Sequence, residues 1–141
     1  MAKKKIHKLT FSYENDFHLI GIASHENDYR LSWAINASLR IDLTKEKDFT
    51  IHHPKNKIEA NYSMYGYSDL NNYNTYHLIS NKSEKGFLLP ELKNIDFILR
   101  VTGFSELDSL DVLLKKLKKI DIIITAFHIE IPEKQKSLFV F

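Results

Sequence analysis

The chain lacks cysteine altogether, and its four glycines are isolated from one another. The absence of cysteine excludes disulfides, thiolate metal sites and thiol catalysis, and it agrees with a reducing compartment. Without a glycine-rich loop, the backbone cannot cradle phosphate with successive amides, and none of the G-x-G-x-x-G, Walker A or G-x-S-x-G motifs occurs. Nucleotide hydrolysis and serine-dependent hydrolysis are therefore disfavoured.

A strong charge of one sign and a long apolar run are also missing. The net charge is only +2, so the chain lacks the broad positive field that non-specific nucleic-acid binding needs. The longest apolar patch, Ile122–Phe127, contains Thr125 and is too short to span a membrane. Residues 1–8 are basic but lack the apolar run of a secretory signal. We therefore expect a cytoplasmic protein with no membrane association and a flexible basic N-terminus at residues 1–10.

What the chain does have is ample apolar material. Hydrophobic residues make up 43% of its 141 residues and aromatic residues 12%. This is enough for residues 1–141 to form one domain around its own core, without disulfides or metals. Stability must therefore come from packing.

Two segments in the first third of the chain carry secondary-structure signals. Apolar and polar residues alternate from Asp16 to Ala23, which predicts a strand with both faces covered. From Asn27 to Ile41 the spacing fits either a strand or a helix. The length of the run, an N-cap at Ser24 or Asn27 and acidic residues near the start favour a helix. That helix would bury Leu31, Ala34, Ile35, Ser38 and Leu39.

The middle of the chain has the composition of strands. Residues 49–80 are rich in aromatic, β-branched and short polar side chains. They predict a hairpin between Ile58–Tyr67 and Tyr73–Ser80, around a turn at Asp69–Asn72. Ile95–Thr102 follows as an alternating strand that Gly103 ends.

The clearest helix starts at Ser105-Glu106-Leu107-Asp108, which resembles a capping box, and it ends among lysines, as the helix dipole prefers. Its apolar stripe contains Leu107, Leu110, Leu113, Leu114 and Leu117. The run Ile120–Ile131 then predicts a buried strand that Pro132 stops. Strand, helix and strand in succession predict a right-handed crossover between parallel neighbouring strands. The predicted fold class is α+β, a mainly antiparallel sheet with two helices packed on one face.

The run from residue 88 to residue 97, LLPELKNIDF, resembles the motif of a bacterial family known as the IPExxxVDY proteins. Pro90, Glu91 and Asp96 match that motif directly. Its Ile, Val and Tyr are replaced by Leu89, Ile95 and Phe97. Residues 16–22 and 28–31, together with Asn36, look like the family's opening strand and first helix. Because the family has no established biochemical function, the resemblance implies no activity.

Two carboxylates in this motif, Glu91 and Asp96, could form an acid–base pair, which needs two groups in unlike environments. The alternative is structural. Pro90 fixes a bend before a strand, Glu91 would bind backbone amides there, and Asp96 would pair with a lysine or arginine. We favour the structural role and predict no catalytic residue.

A metal site is suggested by His52, His53 and His77, with Glu59 in the same region. Adjacent residues on a strand point to opposite faces, so His52 and His53 are poorly placed to bind one ion. No HExxH or similar spacing occurs. We therefore predict neither a metal nor a cofactor.

Tyrosines on the predicted hairpin leave two binding functions open. Exposed rings on a sheet can stack bases while lysines hold phosphates, which would make an RNA-associated protein. Without catalytic motifs or RNA-binding signatures, we favour a non-enzymatic adaptor that binds another protein. The candidate surface is Tyr65, Tyr67 and Tyr73. Buried tyrosines with an apolar surface patch would support protein binding, whereas an open tyrosine platform rimmed by lysines would support RNA.

The apolar end of the chain, Leu138–Phe141, is expected to be docked, because its side chains lose hydrophobic free energy in water. It could dock on its own sheet. It could also dock on a second copy, which would make a homodimer.

Overall fold

A six-stranded antiparallel sheet forms the centre of the computed structural model, which describes residues 17–53, 58–71, 73–103 and 107–141. In chain order the strands are β1 (Phe17–Ala23), β2 (Thr44–Lys45), β3 (Phe49–His53), β4 (Ile58–Tyr62), β5 (Met64–Asp69), β6 (Asn74–Ser80), β7 (Lys82–Ser83), β8 (Gly86–Phe87), β9 (Phe97–Thr102) and β10 (Thr125–Ile129). The central sheet has the order β10-β1-β9-β6-β5-β2, and β3-β4 and β7-β8 form two separate hairpins.

The described ranges also contain three α-helices: α1 (Asp28–Leu39), α2 (Leu107–Lys118) and the one-turn α3 (Glu133–Lys136). Single 3₁₀ turns lie at Pro90–Leu92 and Ser137–Phe139. The chain is thus a single α+β domain, as the sequence predicts. No helix among the described residues is both long and apolar enough to cross a membrane.

The two longer helices pack on one face of the sheet, which confirms that prediction. Asn27 is the N-cap of α1, and its side-chain oxygen accepts a hydrogen bond from the Arg30 amide at 2.9 Å. The buried residues on this face come from both helices and five strands, and they include Ile20, Ile22, Leu31, Ile35, Tyr65, Tyr76, Leu78, Phe97, Leu99, Val101, Leu110, Leu113, Leu117 and Ala126. Of the predicted apolar stripe of α2, Leu110, Leu113 and Leu117 are buried and Leu114 is partly buried, whereas the side chain of Leu107 lies outside what the structure describes.

A second apolar cluster covers the opposite face. Strand β1 contributes to both, because Phe17 and Leu19 point to this face while Ile20 and Ile22 point to the helices. The cover consists of the β3-β4 hairpin, residues 88–95 and the end of the chain. Its buried residues include Ala60, Tyr62, Ile79, Leu88, Leu89, Ile95, Ile98, Ile129 and Phe139. The predicted coverage of both faces of β1 is confirmed.

Four predictions from the sequence need correction, and the first concerns α1. Ser38 is exposed and Ser32 is buried in its place. The Ser32 hydroxyl donates to the Tyr29 carbonyl at 2.8 Å, so its polar group is satisfied inside the helix. The buried serine of α1 is therefore Ser32, whereas the sequence predicted Ser38.

The predicted hairpin is also wrong in its first arm. Only Met64–Asp69 pairs with β6, whereas Ile58–Tyr62 pairs with β3. Tyr62 packs on the second cluster and Tyr65 on the helix side. The chain thus passes from one layer to the other at Ser63, and a single continuous strand could not do so.

The third and fourth corrections concern the end of the crossover. Strand β10 is shorter than Ile120–Ile131, because the amides of Ile120 and Ile123 form turns with Leu117 and Ile120 at 3.1 and 3.0 Å. Strands β9 and β10 run in the same direction, but both pair with β1, which lies between them. They are joined by α2 and are not neighbours. The predicted capping residues Ser105 and Glu106 lie outside the described residues.

Candidate functional site

The motif segment, residues 88–97, is organised by a buried asparagine that precedes it. The side chain of Asn81 donates to the carbonyls of Leu92 and Ile95 at 3.0 and 2.9 Å. Its side-chain oxygen accepts the Leu89 amide hydrogen at 2.7 Å. These three bonds act together with the backbone bonds of the 3₁₀ turn, so the Asn81 side chain satisfies buried backbone groups and ties the segment to the end of β6. Sequence reasoning missed this residue, because a single polar residue after a strand gives no distinctive signal.

Three apolar motif positions belong to the core. Leu89 and Ile95 are buried in the second cluster, and Phe97 is buried on the helix side. Ile95 lies directly against Gly21, where a Cβ atom would come within 2.5 Å of its Cδ1. Pro90 begins the exposed 3₁₀ turn. The motif therefore joins the loop to the centre of the sheet.

The two motif carboxylates are held by different parts of the chain and are not arranged as a pair. Asp96 accepts the Ser24 amide hydrogen at 2.9 Å and forms an ion pair with Lys82 at 2.8 Å. Glu91 is exposed and accepts two hydrogen bonds from the Gln135 amide, at 2.8 and 2.9 Å, and this contact lowers the pKa of Glu91. These contacts support the structural role for both.

The three candidate tyrosines do not form one surface. Tyr65 is buried on the helix face, and burial raises its pKa. Tyr67 is half-buried and stacks on Tyr76, with ring centroids 6.3 Å apart. Only Tyr73 is open, at the tip of the β5-β6 hairpin, where it is 78% exposed. The set therefore provides no platform on which several bases could stack.

An exposed aromatic pair lies elsewhere, on the outer side of α1. Tyr29 and Trp33 are one turn apart, with ring centroids 4.8 Å apart, and Trp33 is 62% exposed although Leu31 is completely buried. This pair lines one side of an open groove of about 370 Å³, which we call the helix groove. The residues that line it are Tyr29, Arg30, Trp33, Ala34 and Ile122. The lining is largely apolar, and Ile124 lies exposed two residues further along.

Arg30 is the charged residue of the helix groove. Its Nε lies 3.6 Å from a carboxylate oxygen of Glu26; the Arg30 side chain is 64% exposed and the Glu26 side chain 34%. A long, solvent-accessible pair of this kind is weak, so Arg30 can exchange Glu26 for another carboxylate at little cost. The last turn of α2, which ends a few residues before Ile122 in the chain, contains Lys115, Lys116 and Lys118.

A second unusual arrangement lies under the last residues of the chain, on the opposite face of the sheet. Arg100 is 3% exposed, and its Nε donates to the Phe139 carbonyl at 2.6 Å. Its guanidinium carbon is 4.6 Å from the ring centre of Phe17 and 4.4 Å from that of Phe141. Burial lowers the pKa of Arg100 from its usual value to about 10, so the group stays charged at neutral pH. Within the described residues it has no carboxylate within ion-pair distance.

His77 lies directly opposite Arg100 in the β6-β9 pairing. Burial, and then repulsion from Arg100, lowers the pKa of His77 from 6.5 to about 4, so the ring is neutral at pH 7. Its Nε2 is 3.8 Å from a carboxylate oxygen of Glu46, whereas its Nδ1 is buried without a hydrogen-bond partner in the described chain. We call Glu46, His77 and Arg100 the polar row.

The histidines considered for a metal site are not brought together. His52 lies 3.8 Å from Glu59, and both side chains are exposed. His77 belongs to the central sheet, whereas His52 and His53 belong to the β3-β4 hairpin. Within the described ranges, no group of three or more His, Asp or Glu side chains has a metal-binding arrangement.

Comparison with protein-family models and with curated proteins finds no match to this chain. The resemblance of residues 88–97 to the IPExxxVDY motif therefore stays a prediction.

Proposed function

We propose that the protein binds another protein through the helix groove and acts as an adaptor in the cytoplasm. The observation that carries this proposal is the exposed Tyr29–Trp33 pair beside Arg30 and Ile122. Tryptophan, tyrosine and arginine are the residue types that dominate binding energy at protein interfaces. Their presence together on one exposed helix face is costly to solubility unless a partner covers them.

The shape of the groove favours a protein ligand over a small molecule. It is open to solvent along α1 and is largely apolar, whereas small-molecule sites usually bury most of their ligand and place several polar groups around it. A leucine or phenylalanine side chain from a partner can lie between Trp33 and Ile122. The alternative of RNA binding is less well supported, because Tyr65 and Tyr76 are buried.

The charges around the groove indicate the chemistry of the partner segment. Among the described residues, the Arg30 side chain has one ion-pair partner, the weakly held Glu26, and the end of α2 is basic. A carboxylate next to the apolar anchor of the partner would pair with Arg30 and be attracted by the lysines. The partner is therefore a segment with an apolar or aromatic side chain flanked by acidic residues.

This proposal is tested by comparing the wild-type chain with Trp33→Ala and Leu70→Ala in capture from a lysate of the native cell. Leu70 is the matched control, because it is 83% exposed on the β5-β6 hairpin and outside the groove. The protein lost with Trp33→Ala and retained with Leu70→Ala is then purified and titrated against the wild type. Trp33 is the only tryptophan of this chain, so a shift of its emission to shorter wavelength as water leaves the ring reports binding once the emission of the partner alone is subtracted.

We expect Tyr29→Ala and Arg30→Glu each to weaken the titrated affinity at least tenfold, and Leu70→Ala to leave it within twofold. Equal capture by all variants would contradict the proposal. Light scattering provides a second, independent measurement. A dimer mass that Trp33→Ala abolishes would mean that the groove binds a second copy of this chain instead of a different protein.

A further inference from the structure

Arg100 has one edge that the fold does not use. The rings of Phe17 and Phe141 both lie close to the guanidinium carbon, with their centres 4.6 and 4.4 Å away. The Nε hydrogen is donated to the Phe139 carbonyl. The edge formed by the two terminal nitrogens therefore remains, and it donates to no acceptor among the described residues. That edge carries the paired N–H groups that match a carboxylate or phosphate.

Holding the end of the chain does not explain why this residue is charged. A buried cation without an anion is unfavourable, and a well-packed apolar side chain would serve the same packing at lower cost. The two rings offset part of that cost through cation–π contact. An anion at the free edge would offset the rest.

The neighbouring residues extend the polar character of this place. The Glu46 carboxylate occupies the position where a Cβ atom on Gly66 would lie, so a glycine is required there for Glu46 to approach His77. His77 in turn brings a buried, unpartnered Nδ1 next to Arg100. A row of carboxylate, imidazole and guanidinium thus lies across β5, β6 and β9, beneath an otherwise apolar cover.

We propose that the polar row is a binding site for a carboxylate, which the free edge of Arg100 holds through two parallel hydrogen bonds. Phe141 covers the site: its ring lies on Arg100 and 5.0 Å from the His77 ring, yet the residue is 54% exposed. A half-exposed aromatic residue held by ring contacts can move aside without unfolding the sheet. The carboxylate belongs either to a small organic acid or to the carboxyl end of a peptide.

The test uses the full chain and three probes at constant ionic strength: sodium acetate, N-acetylphenylalanine and N-acetylphenylalanine amide. Sodium chloride replaces the probe in the reference samples. The readouts are the Nε–Hε NMR signal of Arg100, the ring signals of His77 and the midpoint of thermal unfolding. We expect both carboxylates, and neither the amide nor chloride, to shift the Arg100 and His77 signals to saturation and to raise the midpoint.

The two carboxylates distinguish the source of the ligand. Tighter binding of N-acetylphenylalanine identifies a peptide carboxyl end, and equal binding identifies a small acid. Phe141→Ala should raise the affinity for acetate at least threefold, because the covering ring no longer has to move. Arg100→Lys keeps the charge, loses the paired donors and should lower the affinity at least tenfold. Arg30→Lys, which alters the helix groove, should leave the affinity for acetate unchanged.

The proposal is overturned if acetate shifts the Arg100 signal no more than chloride does, or if Arg100→Lys binds acetate as tightly as the wild type. If Arg100→Lys does not fold, Phe141→Ala provides the second test. An acetate affinity of Phe141→Ala equal to that of the wild type would also contradict the proposed carboxylate site. The helix groove lies on the other side of the sheet. Neither result of the carboxylate test therefore bears on the proposed protein binding at the helix groove.

Discussion

The Nε hydrogen of Arg100 is donated to the carbonyl oxygen of Phe139 across a distance of 2.6 Å. Arg100 lies on β9 in the middle of the sheet, and Phe139 lies near the end of the chain. The bond fixes the last residues on the protein's own sheet, where the Phe139 side chain is fully buried. Within the expected docked run Leu138–Phe141, Phe139 is thus held inside its own chain, whereas Leu138, Val140 and Phe141 are 37%, 42% and 54% exposed.

Replacing Phe139 with alanine should destabilise the fold strongly. The substitution removes a buried ring from the second cluster and leaves a cavity, which costs about 3 to 5 kcal/mol. Urea unfolding followed by circular dichroism measures the change. Val140→Ala is the matched control in the same segment, because Val140 is exposed to 42%. Equal midpoints for the two variants would show that Phe139 does not belong to the core.

The amphipathic assignment of α2 gives a similar contrast between adjacent residues. Leu113 is buried beneath the helix and Val112 is 51% exposed. Leu113→Ala should lower the free energy of unfolding by about 2 to 4 kcal/mol. Val112→Ala should change it by less than about 0.5 kcal/mol, as exposed substitutions usually do. A Leu113→Ala midpoint equal to that of the wild type would contradict the assignment.

Stability should fall on acidification because of His77. Its pKa is about 4 in the folded chain against 6.5 as the ordinary value, so between these pH values the unfolded chain binds more protons. The free energy of unfolding therefore decreases as the pH falls from 6.5 toward 4, by on the order of 2 kcal/mol from this group.

The measurement is a series of urea unfolding curves from pH 7 to pH 4 for the wild type, His77→Asn and His52→Asn. His77→Asn should lose part of the pH dependence, because it removes the titrating group. His52→Asn should keep it, since the His52 side chain is 75% exposed. Parallel profiles for the wild type and His77→Asn would rule out the depressed pKa.

The motif carboxylates should differ in their effect on stability. Asp96→Asn weakens the bond to the Ser24 amide and the ion pair with Lys82, and we expect a loss of about 1 to 2 kcal/mol. Glu91→Gln changes a solvent-exposed contact with Gln135, and its effect should be much smaller. Thermal unfolding of both variants tests this order. If Asp96→Asn and Glu91→Gln both keep the wild-type stability and one of them loses binding to a partner, the motif has a direct functional role.

Elements with a clear period could be predicted from sequence. The leucine stripe of α2, the alternation of β1 and the N-cap of α1 each depend on residues close in the chain. The difference in burial between Leu31 and Trp33 also follows from the helical period, and the structure confirms it. The prediction for the first arm of the hairpin was wrong because composition alone cannot show that the chain changes layers at Ser63.

The two candidate sites depend on contacts between distant parts of the chain, which the sequence does not reveal. His77 and Arg100 become neighbours only through the β6-β9 pairing. Tyr29 and Trp33 could have been placed on one helix face, but the groove also needs Ile122. The prediction of one buried strand over Ile120–Ile131 left out the turns that bring Ile122 to α1.

The most direct test of protein binding through the helix groove is photo-crosslinking in the native cell, with p-benzoylphenylalanine incorporated in place of Tyr29. Leu70, which is 83% exposed on a different element, is replaced in the same way as the control. We expect one discrete adduct with a second protein from position 29, which is absent from position 70 and is lost when Trp33→Ala is added. Adducts only with nucleic acid or with another copy of this chain, or the same adduct from both positions, would contradict it.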